Sequence, residues 1–213
     1  MSRLLSLICL FLISSQASAY YSTMDTAELP KEGIYNLNVE TQFITDGDSG
    51  LNLLGRFDSH LTSDSSYRVE LGFGVVDFQV AGFYKWAPIP DTGNQPAMSV
   101  SGGVSLAHTS VGTGSSKKSV NDLSLRAHPI VSKKFEQQFG RLTPYASLPL
   151  GLRTADGSTD LTAQLAIGSF LKPTKFKNMS FAMEIGFDLS NTFTYFSLGF
   201  TLNMDPAEGL VFN

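Results

Sequence analysis

The sequence predicts an all-β fold: an antiparallel up-and-down transmembrane β-barrel of about ten strands, with eight or twelve also open. Three observations carry this expectation. Apolar and polar residues alternate with a period of two along nearly all of the chain after residue 33. Turn-forming clusters cut the alternation into segments that reach the roughly nine to eleven residues a tilted crossing needs. The chain also opens with a secretory leader, yet no later apolar run approaches the roughly eighteen residues of a spanning helix.

The leader comes first. Arg3 is its positive start, residues 4–13 are apolar apart from Ser6, and Ala17-Ser18-Ala19 is a small-x-small site that places cleavage after Ala19. Such a run is too short for ~30 Å of hydrocarbon, and no stop-transfer charges follow it. Cys9, the single cysteine, lies inside this run and not at a lipobox, so neither a lipid anchor nor a disulfide framework is expected. The expected organisation is therefore a signal peptide over 1–19, a short N-terminal lead-in over 20–32, a barrel over 33–204 and a C-terminal tail over 205–213. The full chain carries a net charge of −4 and becomes more acidic once Arg3 is removed, which argues against a nucleic-acid partner.

Each strand then follows from its alternation. Tyr35, Leu37, Val39, Thr41 and Phe43 oppose Asn36, Asn38, Glu40 and Gln42. Leu51, Leu53, Gly55, Phe57 and Leu61 oppose Asn52, Arg56, Asp58 and His60. Tyr67, Val69, Leu71, Phe73 and Val75 oppose Arg68, Glu70, Gly72 and Gly74, and Phe78, Val80, Tyr84 and Trp86 oppose Gln79, Ala81 and Lys85. The fifth sets Met98, Val100, Val104 and Leu106 against a serine and glycine face, and the sixth sets Leu123, Leu125 and Val131 against Ser124, Arg126 and His128. Leu148, Leu150 and Leu152 against Ser147, Gly151 and Arg153 make the seventh; Leu161, Leu165 and Ile167 against Thr162, Gln164 and Gly168 make the eighth. Met179, Phe181, Met183, Ile185 and Phe187 face away from Glu184, Gly186 and Asp188, and Phe196, Leu198, Phe200 and Leu202 face away from Ser197, Gly199 and Thr201. Clusters such as Asp46 to Gly50, Thr62 to Ser66, Pro90 to Asn94, Ala155 to Gly157 and Ser190-Asn191 supply the turns.

A soluble antiparallel sheet alternates too, so a lipocalin-like ligand-binding barrel is the competing architecture. Two details favour lipid. The polar face is rich in glycine and small residues, which a narrow lumen needs and a solvated surface does not. That face also carries both signs of charge (Glu40, Arg56, Asp58, Arg68, Glu70, Lys85, Arg126, Arg153, Glu184 and Asp188), which can neutralise one another when enclosed. The other face, represented by Leu53, Leu71, Val100, Leu150, Ile167 and Phe200, is nearly charge-free, and aromatic residues gather at strand ends as in an interfacial belt.

The final strand, Ser197-Leu198-Gly199-Phe200-Thr201-Leu202-Asn203-Met204, resembles the assembly signal of bacterial outer-membrane barrels, although the usual terminal aromatic is replaced by a tail. The resemblance is to a broad class and covers 33–204. It implies an outer-membrane location, a lipid environment, and barrel-assembly machinery as a partner that reads 197–204. His108-Thr109-Ser110 resembles the His-x-Ser of outer-membrane lipid A deacylases, which would make Ser110 the nucleophile and His108 its base; the flanking arginine and asparagine of that family are absent. Asp46-Gly47-Asp48 lacks the later ligands of a calcium loop, the 112–119 stretch lacks the glycine and helix of a phosphate loop, and the three histidines have no metal-ligand spacing. No metal or cofactor is expected. The sequence thus points to a small outer-membrane barrel with a structural or narrow-pore role, and to a lipid A-modifying enzyme or a soluble lipocalin-like carrier as alternatives. With both termini periplasmic, residues 109–121 lie outside, and 88–96 and 133–143 form periplasmic loops.

Overall fold

The computed structural model describes residues 22–46, 49–111, 118–176 and 178–207. The expected leader and residues 47–48, 112–117, 177 and 208–213, with the expectations that fall on them, lie outside the described residues. All regular structure among the described residues is β. In chain order the strands are β1 (Tyr35–Ile44), β2 (Gly50–Thr62), β3 (Ser65–Gly74), β4 (Phe78–Ile89), β5 (Ala97–Val111), β6 (Lys118–Ser132), β7 (Phe135–Gln137), β8 (Gly140–Ser147), β9 (Leu150–Ala155), β10 (Ser158–Pro173), β11 (Met179–Ser190) and β12 (Tyr195–Met204).

These twelve segments make ten staves. β7 continues β6, because β6 and then β7 pair with β8, and the Lys133 N–H bridges the step to the Pro144 carbonyl at 3.1 Å. β9 continues β8 across Leu148-Pro149. Proline has no N–H for the ladder, so regular pairing lapses there. The neighbouring groups stay bonded nonetheless: Leu148 N–H to the Pro129 carbonyl at 3.1 Å, and Gln164 N–H to the Pro149 carbonyl at 3.0 Å. Consecutive staves pair antiparallel, and β12 pairs with β1 from Tyr35↔Met204 to Ile44↔Tyr195, which closes the cylinder. Within the barrel wall, closure gives each stave a partner on both sides. The expected up-and-down barrel of ten strands is the fold. The loop expected over 133–143 is corrected: most of it is the β7–β8 hairpin, whose alternation is interrupted by Lys133, Lys134 and Pro144.

Burial is inverted relative to a soluble domain. The largest side chains that are fully enclosed include Arg56, Gln42, Gln79, Gln164, Glu40, Glu184 and Asn52. Large apolar side chains are exposed all around the outside, among them Leu53 and Leu71, Val100, Leu125 at 57 %, Leu150, Ile167 and Met183. Phe200 is on the same face and half-buried by its neighbours. Together the exposed apolar side chains form a continuous jacket far beyond the few hundred Å² tolerated on a soluble monomer.

Rings border that jacket at both ends. Around the mouth where the termini emerge, Tyr35 stacks on Phe57 with centroids 5.3 Å apart, Phe57 meets Tyr67 at 6.4 Å, and the Trp86 indole N–H donates to Asp64 at 3.1 Å. At the far mouth Phe43 stacks on Phe196 at 6.4 Å and Phe73 meets Phe78 at 5.5 Å. The amphipathic rings of Tyr35, Tyr67 and Trp86 at the termini mouth are what a bilayer interface selects.

Candidate functional site in the barrel lumen

The interior is the place where this chain concentrates its chemistry, and its largest occupant is the chain itself. Residues 22–30, expected only as a lead-in, run back into the barrel from the start of β1. Ser22, Thr23, Met24 and Ala27 are all buried at 2 % exposure or less. An extended segment carries N–H and C=O groups that a lumen must satisfy, and here the staves do so. The Thr23 and Met24 N–H groups donate to the two oxygens of Glu184 at 2.9 and 2.6 Å. Met24 is in the left-handed region with φ 29°, which lets successive N–H groups converge on one carboxylate as an anion nest. Tyr145 and Tyr195 donate their hydroxyls to the same carboxylate. Glu184 therefore receives four hydrogen bonds, two from the strap and two from the wall.

The cations hold the strap from the other side. Arg56 donates from Nη2 to the Ser22 carbonyl at 2.7 Å, pairs through Nε with Glu70 at 2.9 Å, and pairs with Glu40. Ser22 donates its hydroxyl to Glu40 as well. Arg68 binds Asp58 and the Thr23 carbonyl and lies 3.3 Å from Asp25. Lys85 donates to Asp25 at 2.6 Å and to the carbonyls of Thr26 and Glu28. Deeper toward the far mouth, Arg153 pairs with Asp122, and Arg126 donates to Ser105 at 2.7 Å. Opposite charges enclosed together keep the desolvation cost tolerable, whereas either sign alone would not.

Space for these groups comes from glycine. A Cβ on Gly168 would sit 2.3 Å from the Tyr145 hydroxyl, and one on Gly186 would sit 2.0 Å from Cε1 of Tyr195. The far mouth is filled by two turns that fold inward. Val76 packs on Leu54 and Ala107, and Phe193 packs on Ile44 and Tyr195 while its carbonyl accepts from Gln164 at 2.9 Å.

Of the charged residues singled out from the sequence, Glu40, Arg56, Asp58, Arg68, Glu70, Lys85, Arg126, Arg153 and Glu184 are buried in this interior. Asp188 is not, and its assignment to the lumen is corrected. The β10–β11 register shifts at Ala163/Gln164, β11 overruns the wall, and the exposed Asp188 carboxylate accepts from the Thr192 N–H at 2.9 Å to cap the β11–β12 turn. His108 and Ser110 share the outer face of β5, half-buried, with His108 Nδ1 2.8 Å from the amide oxygen of Asn121. An amide, not a carboxylate, is thus the described neighbour of that imidazole. Sequence reasoning missed the strap residues, Tyr145 and Phe193, and set Tyr195 on the polar face of the last strand without giving it a role. The tyrosines gave a usable signal, since each shares parity with the polar face of its strand; the strap gave none, being neither alternating nor apolar.

A closed β-barrel that is charged within, apolar without and ringed by aromatics at both rims is a membrane-spanning barrel. No protein-family model and no curated protein sequence matches the chain. Among solved structures it is similar to a de novo designed transmembrane β-barrel, at 14 % identity and a TM-score of 0.41, covering 83 % of this chain and 100 % of that one. It is also similar to Salmonella typhi OmpF in complex with daunomycin, at 8 % identity and a TM-score of 0.34, covering 80 % of this chain and 96 % of that one. Membership of the class follows from this chain's own distribution of polar and apolar side chains.

Proposed function

We propose that the protein is a small outer-membrane barrel with a structural role in the envelope, exported by the leader that ends at Ala19 and closed to solutes in its resting state. The observation that carries this reading is the occupied lumen: the strap lies in the termini mouth, Val76 and Phe193 pack into the far mouth, and paired charges line the space between. A ten-strand cylinder is only slightly wider than the eight-strand one that side chains just fill, so a strap threaded into it takes up much of the space a water path would need. The polar interior also disfavours a carrier for apolar ligands, which would need the reverse lining.

The partners follow from the same reading. Membrane lipid covers the apolar jacket, and the assembly machinery engages residues 197–204 on β12, the strand that closes on β1. Two measurements test the proposal. The processed protein should fractionate with outer membranes and migrate as a compact band that shifts on boiling; recovery as a water-soluble monomer without detergent would refute it. In planar bilayers it should give no steady single-channel steps, and a stable open conductance from the intact chain would refute the closed lumen.

A further inference from the structure

The termini mouth is not filled evenly. The strap leans on β2, β3, β4 and β6 through Arg56, Arg68, Lys85 and Ser132, and His60 holds its exit on that side, with Nδ1 3.3 Å from the Pro30 carbonyl. Against the opposite wall it leaves a cavity of about 180 Å³, room for about six waters at liquid density. The last inward-facing residues of five neighbouring staves meet there: Arg141 of β8, Lys172 of β10, Ser180 of β11, Asn203 of β12 and Asn36 of β1, with Lys31 closing the space from the chain's N-terminal side.

The acids that also line this cavity are already paired, Asp25 with Arg68 and Lys85, Asp58 with Arg68 and Glu28 with Lys134, so the charge left over is positive. Lys172 and Arg141 are direct partners in the β8–β10 ladder, so two cationic side chains leave the wall side by side. Arg141 pairs with Glu136, a mostly exposed residue out on β7. Among the described residues neither Lys172 nor Lys31 has a carboxylate within ion-pair distance. Cations gathered beside a low-dielectric wall repel one another unless a negative group joins them. A second observation lies in the same wall. The side-chain oxygens of Asn36 and Asn203 are shielded from solvent and lack any hydrogen-bond partner among the described residues. Turned over, those amides present N–H donors, and the choice between the two orientations is set by what occupies the space.

We infer that this cavity binds a phosphate-type oxyanion, either free or carried on a lipid headgroup at the membrane surface. Lys31, Arg141 and Lys172 supply the charge, while Ser180 and the two asparagines supply directed hydrogen bonds. The site stands whether or not the lumen conducts.

Calorimetric titration of the processed protein in a neutral detergent with inorganic phosphate tests the free ion. Reconstitution into phosphatidylcholine vesicles with or without phosphatidylglycerol, read as the temperature at which the compact gel band is lost, tests the headgroup. Saturable phosphate binding is expected, weakened at least tenfold in Lys172→Gln/Arg141→Gln and within twofold of wild type in Lys175→Gln on the neighbouring turn. A response confined to phosphatidylglycerol, and lost in the same double variant, assigns the oxyanion to lipid. Absence of both responses overturns the site, and so does equal weakening by Lys175→Gln. A fold-based readout guards against a misfolded variant: without phosphate, Lys172→Gln should unfold at a higher temperature than wild type because the repulsion is relieved, and unfolding at a lower temperature counts against the inference.

Discussion

Replacing Arg56 by Met tests whether the interior is dry and paired. The substitution keeps an unbranched chain but removes the cation from Glu40 and Glu70, both enclosed, and the donor from the Ser22 carbonyl. Breaking a buried ion pair from one side costs about 3–5 kcal/mol, and an orphaned buried acceptor about 1–3 kcal/mol. A loss of roughly 4–8 kcal/mol is therefore expected, a large part of the ~5–15 kcal/mol that holds a typical domain folded. Replacing Glu40 and Glu70 by Gln in the Arg56→Met background removes the stranded charges and should restore at least half of that loss. The assay is reversible urea unfolding in lipid vesicles, followed by the emission of Trp86, the one tryptophan. A cost below about 1 kcal/mol for Arg56→Met, or no recovery in the triple variant, would mean that water already screens these groups and that the lumen is open.

Three further outcomes are expected. Leu71→Arg, at mid-height on the apolar face, should cost about 2–4 kcal/mol in vesicles, whereas Leu61→Arg at the rim should cost no more than about 1 kcal/mol; equal small effects at both positions would indicate water outside. Gly186→Ala places a methyl 2.0 Å from the Tyr195 ring and should destabilise the barrel by roughly 1–3 kcal/mol, with Tyr195→Leu recovering part of it as measured by the urea midpoint. The exposed Asp64 carboxylate accepts from the Thr62 hydroxyl at 2.7 Å and from the Trp86 indole at 3.1 Å, and these bonds hold its pKa below the ordinary aspartate range. The stabilisation is thus present at neutral pH and is lost as pH falls through that lowered pKa; Trp86 emission should titrate there, and the transition should vanish in Asp64→Asn.

The barrel was legible because one physical constraint acts on every strand. Lipid on one side and a narrow polar interior on the other force parity, so residues as distant as Leu53 and Ile167 obey the same rule. Legibility ended where a residue answers to a local contact. Asp188 has lumen parity but lies beyond the wall, where the Thr192 N–H is its nearest claim. The 140–145 segment pairs fully with β10, yet Pro144 within it reads as a break in the sequence. Least legible was the strap. Its side chains satisfy no periodicity, because its position is set by what the staves offer: a carboxylate for its N–H groups and guanidinium groups for its carbonyls. Glycines 168 and 186 recorded that crowding in the sequence, though not which tyrosines they accommodate.

The strap also dictates an order of events. Thr23 and Met24 bond to Glu184, partners 161 and 160 residues apart along the chain, so the strap cannot lock until the penultimate stave exists. Contacts this distant are slow to form because the intervening chain must first be brought together. The N-terminal residues therefore travel undocked through most of assembly, and their capture by Glu184, Tyr145 and Tyr195 marks the moment the cylinder is complete.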